Sequence, residues 1–99
     1  MDFFKNKKVS TAAVHEVYDF GLEQMIWQFV QDFATDYFVR IVIRDNEIIL
    51  MQEDPEKKQV YQIPKVDINK LPSIQDKYRI LWAVDDEYGV CTLLFPWEY

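Results

Sequence analysis

Apolar residues change their spacing twice along this 99-residue chain, and those changes divide it into elements. Residues 7–17, KKVSTAAVHEV, are rich in β-branched side chains, hold neither Gly nor Pro, and partly alternate, Ala12 and Val14 against Ala13 and His15. That pattern predicts a first strand. After Asp19, an N-cap residue by type, FGLEQMIWQFVQDFATD shifts to a helical period. Leu22, Met25, Ile26, Phe29, Val30 and Phe33 recur at i, i+3, i+4, i+7, i+8 and i+11, a complete apolar stripe. Gln24, Gln28, Gln31 and Thr35 fall opposite. Phe20, Trp27 and Ala34 form a second strip to one side of the first. Trp27 either widens the core-facing side or, with Phe20, reaches past it to another chain.

Beyond residue 37 the period returns to two. Val39, Ile41 and Ile43 alternate with Phe38, Arg40, Val42 and Arg44, a half-buried strand. Asp45 and Asn46 tolerate positive φ and suit a two-residue turn. EIILMQ is apolar on both faces, which predicts a central strand. Asp54-Pro55-Glu56-Lys57 reads as a turn and QVYQI as a short strand. Residues 64–77, with two prolines and mixed charge, read as a loop or one short helical turn. Then Tyr78, Ile80, Trp82 and Val84 alternate with Arg79, Leu81, Ala83 and Asp85. Val90, Thr92 and Leu94 likewise alternate with Cys91, Leu93 and Phe95. Asp86-Glu87-Tyr88-Gly89 joins these two strands as a hairpin, with Gly89 where backbone freedom is needed. The whole is one α+β domain, residues 1–99. It is a largely antiparallel sheet of five to six strands with one main helix on one face, in the order β-α-β-β-β-β-β.

Two features invite chemistry. Asp85, Asp86 and Glu87 are consecutive carboxylates, but a calcium loop needs spaced acids, and acid–base work needs burial to raise one of them. A solvated hairpin tip is the expected reading. His15 is the sole histidine, with no second ligand at a metal spacing, and is expected as an ordinary strand residue. The chain has no glycine-rich phosphate loop, His pair, CxxC or GxSxG; its only glycines are Gly21 and Gly89. The expectation is a non-enzyme without metal, cofactor or small-molecule substrate. Asp85, Glu87 and His15 are the residual catalytic candidates.

Net charge is −6, unevenly spread. Residues 9–39 contain no Lys or Arg but do contain Glu16, Asp19, Glu23, Asp32 and Asp36; residues 85–99 carry four acids and no base. Such a surface repels phosphates, so direct nucleic-acid binding is not expected, while a basic protein partner is compatible. Single Cys91 cannot form an internal disulfide, which suits a reducing compartment. The opening MDFFKNKK has no apolar core of a secretory signal, and no run approaches the ~20 residues of a membrane span. A cytoplasmic location is expected.

The segments MIWQFVQDF, QEDP and DDEYGVCTLLFPWEY together resemble the bacterial domain-of-unknown-function family nine-sixty, small proteins of Gram-positive bacteria and their mobile elements. The matching positions are Ile26-Trp27-Gln28, Gln52-Glu53 with Pro55, Asp85-Asp86 with Tyr88, Leu93-Leu94, and Pro96 with Glu98-Tyr99. The chain departs from the pattern at Asp19-Phe20-Gly21, where the family favours a proline, and in a longer 64–77 segment. The resemblance implies a bacterial cytoplasmic setting and brings no activity with it.

Widths then bear on function. A helix over residues 20–34 is about 22 Å long and shields a band about 10 Å wide. Five or six strands span roughly 24–29 Å. One helix leaves apolar surface uncovered, and sixteen aromatic residues are available to line it. The expected function is a non-enzymatic protein-interaction module that meets a protein partner or a second copy. Its candidate contacts are Phe20, Trp27, Trp82, Phe95, Trp97 and Tyr99. The C-terminal aromatic segment is expected to fold back on its own sheet or to form such a contact. The alternative is an acidic DNA-mimic inhibitor of a nucleic-acid-binding protein, although the helical acids do not align: Asp19 and Glu23 fall on one side, Asp32 and Asp36 on another.

Overall fold

A computed structural model describes residues 3–53, 56–64 and 75–99. Among these residues six strands make one sheet: β1 Lys7–Ser10, β2 Phe38–Arg44, β3 Glu47–Glu53, β4 Glu56–Gln62, β5 Ile80–Asp85 and β6 Val90–Leu94. Two helices, α1 Ala12–Val17 and α2 Phe20–Phe33, connect β1 to β2. The fold is α+β, with the expected sheet and main helix.

The lateral order is β1-β6-β5-β2-β3-β4, antiparallel throughout except that β1 runs parallel to β6. Tracing directions through β6 and β5 makes β1 parallel to β2 as well. The α1–α2 pair is therefore a crossover between parallel strands, and a crossover must pass over one face of the sheet. Both helices lie on that face. The hairpin β5–β6 fills the gap between β1 and β2.

The alternation over 7–17 misleads, because the first strand ends at Ser10. Thr11 is an N-cap: its Oγ1 accepts from the Val14 N–H at 3.3 Å, and its carbonyl accepts from His15 N at 3.0 Å. Ala12, Ala13 and Glu16 are good helix formers, so residues 12–17 coil instead of extending. For α2 the cap is the one expected, with Asp19 Oδ1 accepting from Leu22 N at 2.7 Å. At its far end Lys57 Nζ donates to the Phe33 carbonyl at 2.6 Å, a cation against the negative end of the helix dipole. Gln52 fastens the exit to β3, accepting from Thr35 N at 2.9 Å and donating to Thr35 Oγ1 at 2.7 Å.

β2 buries Val39, Ile41 and Ile43 in strict alternation. Asp45 takes φ 55° in the following turn. β3 lies between β2 and β4, as its two apolar faces predict. Glu56 and Lys57, expected in a turn, open β4 instead. Asp54, Pro55 and residues 65–74 lie outside the described residues, and with them most of the expected 64–77 loop. Asp76–Tyr78 form a 3-10 turn.

The core sits between the helices and one face of the sheet. Leu22, Ile26, Trp27, Phe29 and Val30 of α2 pack with Ile41, Ile43, Ile48, Leu50, Leu81, Ala83, Cys91 and Leu93, joined by Phe4, Val14 and Tyr18. Each fully buried Leu, Ile or Phe contributes about 1.5–3 kcal/mol. The lid on this face is therefore wider than α2 alone, because α1 and Phe4 extend it.

Candidate functional site

The opposite face of the sheet carries the apolar surplus. Registers place three rows across it: Val9–Thr92–Val84–Phe38, Leu94–Trp82–Arg40–Met51–Lys58, and Ile80–Val42–Ile49–Val60. None of these residues belongs to the main core cluster, whose sheet members are their alternates. Ile80 and Val60 are exposed, Trp82, Phe38, Val84 and Met51 are half-buried, and Ile49 and Leu94 are buried. Among the described residues, Tyr99 packs over this face through an edge-on contact with Trp82 at 5.5 Å. Phe38 meets the same indole edge-on at 5.1 Å. Val84, Thr92, Leu94, Glu98 and Tyr99 line a shallow cleft of about 330 Å³.

The C-terminal turn is built by its own hydrogen bonds. Glu98 Oε1 accepts from Phe95 N at 3.0 Å and from Thr11 Oγ1 at 2.8 Å, tying the tail to the start of α1. Pro96 sits at the first helical position of the 3-10 turn Pro96–Glu98, where its missing N–H costs nothing. Phe95 then points into the core, and Trp97 stacks on it with centroids 4.7 Å apart.

Of the six candidate contacts, Phe20, Trp97 and Tyr99 are exposed (68%, 56% and 77%) and Trp82 is half-buried. Trp27 and Phe95 are core residues, 4% and 0% exposed, and cannot meet a partner. Trp27 turns inward because Phe4 packs beside it at 6.2 Å. The exposed candidates are not one patch: Tyr99 joins Trp82, Trp97 joins Tyr78 and Phe95, and Phe20 begins α2. Sequence reasoning missed Phe38, Val42, Val60 and Met51, although the alternation in β2 had already set Phe38 and Val42 opposite the core positions.

The polar candidates separate too. Asp85 is not at a solvated tip; it is 4% exposed. Its Oδ2 accepts from Phe4 N at 2.9 Å and its Oδ1 from Glu87 N at 2.9 Å, so it clasps the N-terminal segment to the hairpin. Asp86 is the turn residue, with Oδ1 accepting from Tyr88 N and Val90 N. His15 lies on α1, its Nδ1 3.0 Å from Glu23 Oε1. Burial, chiefly, and then the Asp85 carboxylate push the Cys91 thiol up, against smaller lowering by an Asn6 backbone hydrogen bond and Lys8. Burial also raises the Tyr18 phenol strongly, partly opposed by Arg79. Among the described residues no group of three or more His, Cys, Asp or Glu could hold a metal ion, and no helix is long and apolar enough to cross a membrane.

No family model, curated protein or solved structure matches the chain.

Proposed function

We propose that the chain is a non-enzymatic protein-interaction module of the bacterial cytoplasm, and that a second copy of the chain occupies the open face of its sheet. The observation that carries this reading is the set of three apolar rows that no described helix covers. Charge favours a copy over an unlike partner. The open face holds Lys7, Arg40, Arg44 and Lys58 against Glu47, Glu53 and Glu56, near balance in a chain of net charge −6. Two such faces meet without net repulsion. A face roughly 24 Å by 20 Å, pressed on its copy, removes on the order of 1,000 Å² from water, the lower bound of a specific interface. The DNA-mimic reading has less support, because Glu23 and Asp85, two of the acids it needs in solvent, are buried.

Light scattering on the eluting peak tests the proposal. Wild type is expected at twice the chain mass at high micromolar concentration. Ile80→Lys and Tyr99→Ala, both at exposed positions, are expected at the single mass with melting temperatures preserved at dilution. A wild type that stays at the single mass at every concentration refutes the second copy.

A further inference from the structure

On the helical side of the sheet, α1 and α2 meet the edge strand β1 around a cleft of about 370 Å³, lined in part by Lys8, His15, Phe20, Glu23 and Trp27. Glu23 is 2% exposed. His15 Nδ1 lies 3.0 Å from its Oε1 and 2.8 Å from its Oε2. The ring nitrogen meets hydrogen-bond geometry with Oε1; Oε2, although close to the same nitrogen, is buried and has no hydrogen-bond partner of its own. An ionised carboxylate accepts about four hydrogen bonds, and burying one half-satisfied is costly. Lys8 does not relieve it, since its ammonium is turned to the Asn6 carbonyl at 3.4 Å.

We propose that this cleft receives the guanidinium of an arginine side chain from a basic polypeptide. A guanidinium N–H supplies the donor that Glu23 Oε2 lacks. With its Nδ1–H given to Glu23, His15 keeps a lone pair on Nε2 for a second N–H, so the dyad offers two acceptors to a forked cation. Phe20, exposed at the rim, provides ring surface for a planar, weakly hydrated cation, which favours arginine over lysine. The flanking chain agrees: residues 9–39 contain no Lys or Arg, and Glu16 and Asp19 are exposed beside the dyad in sequence. The site lies across the sheet from the self-association face, so it stands or falls separately.

The test is a titration of the intact protein, followed by NMR, with N-acetyl-arginine-amide and with its uncharged isostere N-acetyl-citrulline-amide. Arginine is expected to give saturable shifts at the Trp27 indole N–H and the Phe20 amide. Citrulline and the Glu23→Gln variant are each expected to bind about tenfold more weakly, the loss of one charge-assisted hydrogen bond. His15→Ala, at a side chain 64% exposed, is expected to weaken arginine several-fold and serves as the deciding variant where Glu23→Gln fails to fold. Equal binding of the two probes, no saturable shift with arginine, or unchanged binding by a folded variant overturns the proposal.

Discussion

Replacing Asp85 by Ala should cost far more than a change at a hairpin tip. The side chain joins two places 81 residues apart in sequence, accepting from Phe4 N while also holding Glu87 N. Phe4 is fully buried and in the left-handed region at φ 60°, so its backbone has no easy alternative partner in water. A hydrogen bond to a charged group is worth about 1.5–3 kcal/mol, and an orphaned buried N–H carries its desolvation cost besides. Two such bonds give an expected loss of about 3–5 kcal/mol, a large share of the roughly 5–15 kcal/mol that holds a domain together. Asp85→Asn keeps one acceptor and turns an NH₂ toward the other donor, so about half that loss is expected. Urea unfolding measures both. Amide exchange should show Phe4 and β1 losing protection ahead of β3, because among the described residues β1 is an edge strand paired only to β6. A cost under about 1 kcal/mol for Asp85→Ala, the size of an ordinary surface change, would refute the clasp and restore the solvated tip.

Three further outcomes follow from the same geometry. The Tyr18 phenol is raised in the folded state, so the unfolded chain releases its proton first as pH climbs past about 10. Its stabilisation is whole below that pH and is lost above it. Tyr18→Phe, which removes the hydrogen bond to the Tyr78 carbonyl, should cost about 1 kcal/mol at pH 8 yet flatten the fall in melting temperature between pH 8 and 11; an unchanged slope counts against it. Cys91, fully buried with its thiol raised, should react with an aromatic disulfide reagent at least about a hundredfold more slowly than free cysteine; rapid native labelling would contradict its placement. Thr11→Ala should destabilise by about 1 kcal/mol through loss of the α1 cap, more than Thr35→Ala if the link from Thr11 to Glu98 also holds the tail.

Much of the fold was legible because each apolar position reports its own local geometry. The i, i+3, i+4 stripe and the Asp19 cap marked α2, and the alternation of Val39, Ile41 and Ile43 marked the buried side of β2. Period two also separated Trp82 and Val84 from Leu81 and Ala83. It could not say which of those faces would be covered. At 12–17 the same signal failed, since four partly alternating residues weigh less than a threonine cap followed by two alanines.

The sequence by itself determined α2, the strands β2, β3, β5 and β6 and the alternating faces of β2 and β5, because those depend on residues within a few positions of one another. Only the tertiary structure decided that β1 lies beside β6 and parallel to it, that Asp85 is buried under Phe4, and that Trp27 is inside while Trp82 faces the open side. Those outcomes depend on where the α1–α2 crossover lands on the sheet. A crossover can lie on one face only, so α1 and α2 bury one apolar surface, and among the described residues the other is covered by Tyr99 alone, over Trp82.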